Sequence, residues 1–104
     1  MQRRPRGQPE RVRNVPSSDS DWGAYAREIG TNIQRQRLTR GYSQDRVAYE
    51  ANLSRYTFQK LEKGESRPDS AANPRLMTLL AIAQVLDVEL SDLLPPRAPD
   101  LTLR

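Results

Sequence analysis

The fold of this 104-residue chain is decided by the stretch SQDRVAYEANLSRYTFQKLEKG, which runs from Ser43 to Gly64. Serine is a preferred helix N-cap, because its hydroxyl accepts a hydrogen bond from a free backbone N–H group of the first turn. Ser43 and Ser54 therefore predict the starts of two short helices, one to about Glu50 and the other to Gly64. Between them lies a tight turn at Asn52, a residue type that tolerates left-handed backbone. Two short helices joined by so short a turn cross steeply, which predicts a helix-turn-helix.

The sequence on either side of this stretch predicts further helices and no strand. Apolar residues at three- and four-residue steps predict a first helix over Trp22–Arg40. Pro74 opens a strongly apolar fourth helix, and a last short helix is expected over Ser91–Leu94. No alternating run of β-forming residues occurs, so residues 64–73 are expected to form a loop. We therefore predict an all-α chain, a compact five-helix bundle whose second and third helices form the helix-turn-helix.

The two ends of the chain differ in composition from its middle. Residues 1–21 carry five arginines and three prolines but few apolar side chains, so they cannot bury enough surface to offset their ordering entropy. We interpret residues 1–21 as a flexible basic N-terminal arm and residues 22–95 as the helix-turn-helix domain. Residues 96–104, which follow the first proline of a Pro-Pro pair, are predicted to form a C-terminal tail.

The composition excludes several kinds of site. The chain has no cysteine and no histidine, so Cys/His zinc sites, disulfides and Ser-His or Cys-His catalytic pairs are impossible. No apolar run approaches the ~20 residues needed to cross a bilayer, and no hydrophobic signal segment follows the N-terminal arginines. We therefore expect a cytoplasmic protein that is not an enzyme, with no cofactor, no metal and no membrane contact. The formal net charge of +4 permits a nucleic-acid partner without requiring one.

The spacing of several residue types resembles that of a known family. The pattern Ser-Gln-x-x-x-Ala-x-x-x-x-Leu-Ser-x-x-x-Phe-x-x-Leu-Glu-x-Gly is similar to the phage-repressor (Cro/repressor, or XRE) helix-turn-helix family. The resemblance continues through the apolar residues of the fourth helix to Leu90-Ser91-Asp92-Leu93-Leu94 and covers roughly Ile29–Leu94. It implies a lambda-repressor-like fold that binds double-stranded DNA with the third helix in the major groove.

The resemblance also implies which side chains contact DNA. Gln44 matches a phosphate-contacting position at the start of the second helix, where free backbone N–H groups also attract anions. In the major groove Arg can grip guanine, Gln can grip adenine, and Tyr can touch a thymine methyl group or a phosphate. The residues of the third helix that match groove-facing positions are Arg55, Tyr56, Gln59 and Lys60. The alternative is that they form the solvated polar face of an ordinary amphipathic helix.

Further positions carry over from the family with other roles. Lys63, Arg67 and Arg75 flank or occupy the loop after the third helix, which runs along the DNA backbone in the family, so they are candidates for phosphate contacts. Arg37 and Glu62 match two positions that pair with each other and tie the recognition helix to the first helix. Such a pair, if partly buried, is costly to break by removing one partner.

Several functions fit this scaffold. The leading hypothesis is a sequence-specific DNA-binding transcriptional regulator, a repressor that acts as a homodimer because one recognition helix reads only a few base pairs. The dimer surface is then expected around the last short helix, with Val88, Leu90, Leu93 and Leu94, although plain core packing is the expectation for at least half of these four residues. One alternative is the DNA-binding antitoxin of a toxin–antitoxin pair, whose arm or tail binds the toxin. Another is an adaptor that uses the same scaffold for a protein partner.

Overall fold

The computed structural model describes residues 15–67 and 70–102, with residues 15–20 described by their backbone alone. Most of the predicted arm, residues 1–14, lies outside the described residues. The elements in the described part are α1 (Val15–Thr39), α2 (Gln44–Glu50), α3 (Arg55–Glu62), β1 (Glu65–Arg67), β2 (Ser70–Ala71), α4 (Leu76–Leu86) and a 3₁₀ turn (Leu90–Asp92).

The core lies where the four α-helices meet. On α1, Ala26, Ile29 and Ile33 recur at helical spacing and are all buried. They pack with buried side chains of the other helices and of the segment after α4, chiefly Val47, Ala48, Phe58, Leu61, Leu79, Ile82, Leu86 and Leu93. The core thus holds α2 and α3 against α1 and α4 and fixes the direction in which the outer face of α3 points.

The predicted fold class is confirmed as a mainly helical helix-turn-helix fold, but the five-helix count is wrong. The described chain has four α-helices and a small two-stranded sheet. The expected fifth helix at Ser91–Leu94 is instead a single 3₁₀ turn, Leu90–Asp92. The backbone N–H of Glu89 donates to the Asp92 carboxylate at 2.9 Å, and the Glu89 side chain accepts in return. This reciprocal cap closes a turn of only three residues, and Pro95 follows too soon for a helix to extend.

The segment after α3 is an antiparallel hairpin rather than a loop without strands. β1 pairs with β2 in the register Glu65 with Ala71 and Arg67 with Ser70, with an irregularity between the two pairs. Gly64 begins the hairpin with a positive φ of 77°, and its carbonyl accepts a hydrogen bond from the Ala72 N–H group at 2.7 Å. Strands of three and two residues are too short to show alternation, so pattern analysis could not detect them.

α1 begins at Val15, earlier than the expected start at Trp22, so residues 15–21 of the predicted arm are helical. Pro16 falls in the first turn, where the missing N–H group of proline costs no intrahelical hydrogen bond. Trp22 lies within the helix, and its indole Nε1 donates to the Ala72 carbonyl oxygen at 2.8 Å. This bond joins α1 to the end of the hairpin.

Leu93 is fully buried in the core, with no measurable exposure. It therefore cannot form part of a dimer surface in this structure and follows the alternative of plain core packing. Val88, Leu90 and Leu94 from the same predicted surface are half-buried against the core.

Candidate nucleic-acid interface

Two serine caps set the positions of α2 and α3. The Ser43 Oγ accepts a hydrogen bond from the Arg46 N–H group at 3.0 Å, and the Ser54 Oγ accepts one from the Thr57 N–H group at 3.0 Å. Asn52, in the turn between the helices, has the expected left-handed backbone with φ of 61°. The caps satisfy N–H groups that the helix itself cannot, so both helices begin at fixed residues.

α3 is strongly amphipathic. Phe58 and Leu61 are buried, whereas Arg55, Tyr56 and Thr57 are exposed to solvent. Gln59 and Lys60 are half-buried. The side chains predicted to face the major groove therefore lie on the solvent side of α3 and at its edges.

A hydrogen-bonded network of four side chains connects the first three helices; we call Arg37, Glu62, Gln44 and Gln59 the polar network. Arg37 Nε donates to Glu62 Oε2 at 2.7 Å, and a terminal nitrogen of Arg37 donates to Glu62 Oε1 at 3.2 Å. Gln44 Nε2 donates to the same Glu62 Oε1 at 2.7 Å. Gln59 Nε2 in turn donates to Gln44 Oε1 at 3.1 Å. The predicted structural pair and two predicted DNA-contacting residues are thus joined in one chain of hydrogen bonds.

The network is buried at one end and open at the other. The Arg37 and Glu62 side chains are 9% and 3% exposed, so their ion pair is shielded from water. The remaining terminal nitrogen of Arg37 donates to the Tyr42 carbonyl at 3.0 Å. Gln44 and Gln59, which are half-buried, lie at the open end. Each of their amide nitrogens has two N–H groups and donates one within the network, so one N–H group of each amide is available to a ligand.

The open end of the network borders a polar cleft of about 340 Å³. Its lining residues are Gln34, Gln44, Gln59, Glu62 and Lys63. A cleft with this lining presents hydrogen-bonding groups from α1, α2 and α3 to a molecule that lies across them.

Two of the other residues predicted to contact DNA, Arg55 and Lys60, form ion pairs with acidic side chains. The Arg55 Nε lies 3.1 Å from Asp45 Oδ1, which connects the first turn of α3 to the first turn of α2. The Lys60 Nζ lies 3.6 Å from Glu65 Oε1 and 5.4 Å from the centre of the Tyr56 ring. Asp45 did not emerge from the sequence as a site residue, because nothing in its spacing shows that it lies beside Arg55.

The remaining candidates are Lys63, which also lines the polar cleft, and two arginines that lie farther from it. Lys63 is the exposed C-cap of α3, Arg67 is exposed on β1, and Arg75 is the exposed N-cap of α4. In the part of the chain that the structure describes, no hydrogen bond connects these three residues to the polar network. They are spread along the edge that follows α3, over the hairpin to the start of α4.

Across residues 15–67 and 70–102, no helix is long and apolar enough to span a bilayer. The same residues bring no three acidic side chains together in a way that could hold a metal ion.

Comparison with known proteins shows what kind of domain carries this geometry. Residues 32–97 match the family model of the Cro/C1-type HTH DNA-binding domain. The chain belongs to the Cro/C1-type helix-turn-helix family. The resemblance seen in the sequence is therefore confirmed, and α2 and α3 are the two helices of a DNA-binding motif.

Two solved structures of the family are similar to this one. The restriction-modification controller protein C.AhdI from Aeromonas hydrophila is 27% identical with a TM-score of 0.60, and the match covers 67% of this chain and 97% of C.AhdI. SinR, a master regulator for biofilm formation whose structure is in complex with DNA, is 28% identical with a TM-score of 0.54. That match covers 62% of this chain and 95% of the SinR chain. No curated protein matches this chain in sequence.

Proposed function

We propose that this protein is a sequence-specific transcriptional regulator, a repressor that binds DNA as a homodimer and reads the major groove with α3. The observation that carries the proposal is the polar network, which fixes Gln44 and Gln59 at the open end of a buried ion pair within a Cro/C1-type domain. Side chains held in advance lose less conformational entropy when they bind. The solvated polar face of an ordinary amphipathic helix does not need hydrogen bonds that hold its side chains in place.

The geometry suggests a separate role for each glutamine. Gln44 begins α2, so its second amide N–H group and the free backbone N–H groups of the first turn suit one phosphate oxygen. Gln59 retains an amide N–H group after donating to Gln44, and its carbonyl oxygen can accept. An amide that offers one donor and one acceptor can pair with the N7 and N6 groups of adenine. We assign Gln44 to the backbone and Gln59 to a base.

The exposed side chains of α3 complete the reading face. Arg55 suits guanine, which offers two acceptors at its major-groove edge. Tyr56 is 63% exposed and can touch a thymine methyl group or a phosphate, with Lys60 beside its ring. Lys63 and Arg67 follow along the edge of the domain and are proposed to contact phosphates, with Arg75 beyond them.

The homodimer follows from the small size of the reading face. One recognition helix contacts only a few base pairs, and two copies one helical turn apart on DNA double that number. The first half of α4 exposes three apolar side chains, with Leu76 62%, Met77 78% and Leu80 38% accessible. Leu76 and Met77 lie four and three residues before Leu80, so all three share one side of the helix. We propose that a second copy covers this side.

The similar structures support a regulatory role. One belongs to a controller protein and the other to a master regulator in complex with DNA. Each match covers nearly all of the solved chain of the other protein, so the likeness is not limited to the two helices of the motif. A repressor of this kind acts by occupying its operator.

The test is fluorescence anisotropy with labelled duplex DNA over a salt series, using the full chain. The natural chain is expected to bind random duplex with log K falling as log salt rises, by roughly 0.9 for each phosphate contacted. It should also prefer an operator selected from a random library. Arg55→Ala/Gln59→Ala should lose this preference more than it loses background affinity. Arg97→Ala, which removes an exposed arginine from the C-terminal tail, is the control and should keep the preference.

Absence of salt-dependent binding at low ionic strength would contradict the proposal. The scaffold would then serve a protein partner, as an adaptor does. Normal DNA binding together with tight association of a toxin would instead identify an antitoxin.

A further inference from the structure

We propose that Asp45 is a positioning residue for base reading: its carboxylate forms an ion pair beside the Nε nitrogen of Arg55 and favours a guanidinium orientation that presents the two terminal nitrogens to one guanine. The inference rests on the proposed function, because it concerns how Arg55 reads DNA. It adds a specificity determinant on α2, the helix that otherwise contacts the backbone.

The geometry of the pair restricts how Arg55 can bind. Its Nε lies 3.1 Å from Asp45 Oδ1. A guanidinium has five N–H groups, one on Nε and four on the terminal nitrogens. The Nε nitrogen is the part of the guanidinium at ion-pair distance from Asp45, so the side-on mode, which turns Nε and one terminal nitrogen toward a guanine, would draw the guanidinium away from this carboxylate. The end-on mode, which presents both terminal nitrogens to the guanine O6 and N7 atoms, remains available.

The pair also connects the two helices of the motif. Asp45 belongs to the first turn of α2, and Arg55 is the first residue of α3. An arginine at the start of a helix otherwise has a long, mobile side chain. The ion pair with a carboxylate on the neighbouring helix favours positions of the guanidinium close to the start of α2, and so close to the phosphate that Gln44 is proposed to bind.

Solvent weakens this pair in the free protein, because the Arg55 and Asp45 side chains are 64% and 67% exposed. DNA that lies across α3 would displace water from both side chains. The attraction between them then increases as the effective dielectric constant falls. The pair is therefore expected to matter most in the complex.

Asp45 has a second, opposite effect on binding. Its negative charge lies on the surface proposed to face the phosphates, so it is expected to lower affinity for every duplex. It also neutralises Arg55 and thereby discourages that side chain from binding phosphates at random. Loss of Asp45 should raise background affinity while it lowers sequence preference, which is how a residue that penalises wrong partners behaves.

The chain offers a matched control in the Arg46–Glu50 pair. Arg46 Nε lies 3.0 Å from Glu50 Oε2, and both side chains are substantially exposed. Glu50 is on α2, as Asp45 is, and removing it changes the net charge equally. The pair lies within one helix and makes no connection to α3.

The experiment uses the full chain and the operator duplex selected by the natural protein. A first series with Arg55→Ala identifies the operator base pair at which this variant no longer discriminates between the natural and an altered base pair. Anisotropy titrations at one salt concentration then compare the operator with duplexes altered at that base pair. The variants are Asp45→Ala, Glu50→Ala, Arg55→Ala and Asp45→Ala/Arg55→Ala. Thermal melting of each variant shows that it is folded. Asp45→Asn, which keeps an oxygen acceptor and removes the charge, is a second test of the same contact.

We expect Asp45→Ala to lower discrimination at that base pair at least five-fold and to raise affinity for random duplex two-fold or more. Glu50→Ala should keep full discrimination. In the Arg55→Ala background, loss of Asp45 should cause no further loss of discrimination. Equal effects of Asp45→Ala and Glu50→Ala, with discrimination intact, would overturn the inference and leave the DNA-binding proposal standing. A natural chain that selects no operator would overturn both.

Discussion

At the scale of single residues, the Glu62 carboxylate is buried and accepts hydrogen bonds at both of its oxygens. One of its oxygens accepts from Arg37 and Gln44, and the other accepts from Arg37 alone. The side chain is 3% exposed, so it has little access to water. A buried charge that loses its only partner pays the full cost of desolvation, whereas an exposed charge does not.

We predict that Glu62→Ala lowers the free energy of unfolding by about 3–5 kcal/mol, because the Arg37 guanidinium would remain buried without its counter-charge. Urea denaturation followed by circular dichroism measures the change. Glu50→Ala is the control, because its pair with Arg46 is exposed and should be worth about 1 kcal/mol or less. Similar losses in the two variants would show that the burial of the Arg37–Glu62 pair has no energetic role.

The sequence indicated the residues of this network without indicating how they connect. The family resemblance implied the pairing of Arg37 with Glu62, and separately Gln44 and Gln59 as DNA contacts. The hydrogen bonds from Gln59 to Gln44 and from Gln44 to Glu62 depend on the crossing angle of α2 and α3. Pattern analysis does not supply that angle, and for the same reason Asp45 was missed.

At the scale of elements, two glycines allow α3 and its following turn to approach α1. A Cβ atom on Gly30 would overlap the Glu62 carbonyl oxygen. A Cβ atom on Gly64 would lie 2.7 Å from the Arg27 Cα atom, and Gly64 also has a left-handed backbone. Side chains at these positions would push α3 away from α1 and would disturb the buried end of the polar network.

The comparison of Gly64→Ala with Gly41→Ala separates crowding from backbone strain. Both glycines have a left-handed backbone, with φ of 77° and 72°, but a Cβ atom on Gly41 would meet no described atom within 4 Å. We predict a loss of about 1–2 kcal/mol for Gly41→Ala from backbone strain alone. Gly64→Ala should lose about 1–3 kcal/mol more, because it also crowds α1. Chemical denaturation measures both, and equal losses would contradict the close approach.

The hairpin is the element that the sequence failed to predict, since its strands are short and lack alternation. The helices were predicted because caps, apolar spacing and proline positions all indicated them. The start of α1 was placed too late, because residues 15–21 carry no apolar periodicity. The backbone hydrogen bond from Ala72 to Gly64 closes the base of the hairpin. Backbone bonds of this kind can form between many residue types, so the sequence does not reveal them.

The hairpin and the end of α3 should contribute to affinity without contributing to specificity. We predict that Lys63→Ala and Arg67→Ala each weaken binding to all duplexes to a similar degree and reduce the salt slope by about 0.9. Salt-series titrations on operator and random duplex measure both quantities. A loss confined to the operator would instead show that these side chains contact bases.

At the scale of the whole molecule, the exposed apolar side of α4 is the feature that the monomer does not explain. Leu76, Met77 and Leu80 are apolar, exposed and on one side of the helix. Scattered exposed apolar residues are common on protein surfaces, whereas a group of them marks a contact site. The surface expected from the sequence included Leu93, which lies in the core.

We predict that Met77→Lys abolishes the proposed homodimer, so that the protein is a monomer at micromolar concentration, and lowers operator affinity at least ten-fold. Sedimentation velocity measures the first effect and anisotropy the second. The added charge is on a side chain that is 78% exposed, so the fold should tolerate it. Leu38→Lys, at a residue of α1 that is 60% exposed, is the control and should leave the dimer intact. A dimer that survives Met77→Lys would place the contact elsewhere.

The hydrogen bond from the Trp22 indole to the Ala72 carbonyl allows Trp22 fluorescence to report on the contact between α1 and the hairpin. Trp22 is the single tryptophan of the chain, so all indole emission comes from the point where α1 meets the hairpin. Indole emission shifts to longer wavelength when the ring enters water. Its intensity also changes when a hydrogen bond to the ring nitrogen is lost. Detachment of the hairpin from α1, in solution or on DNA, should therefore appear as a spectral shift in unlabelled protein, without any change to the sequence.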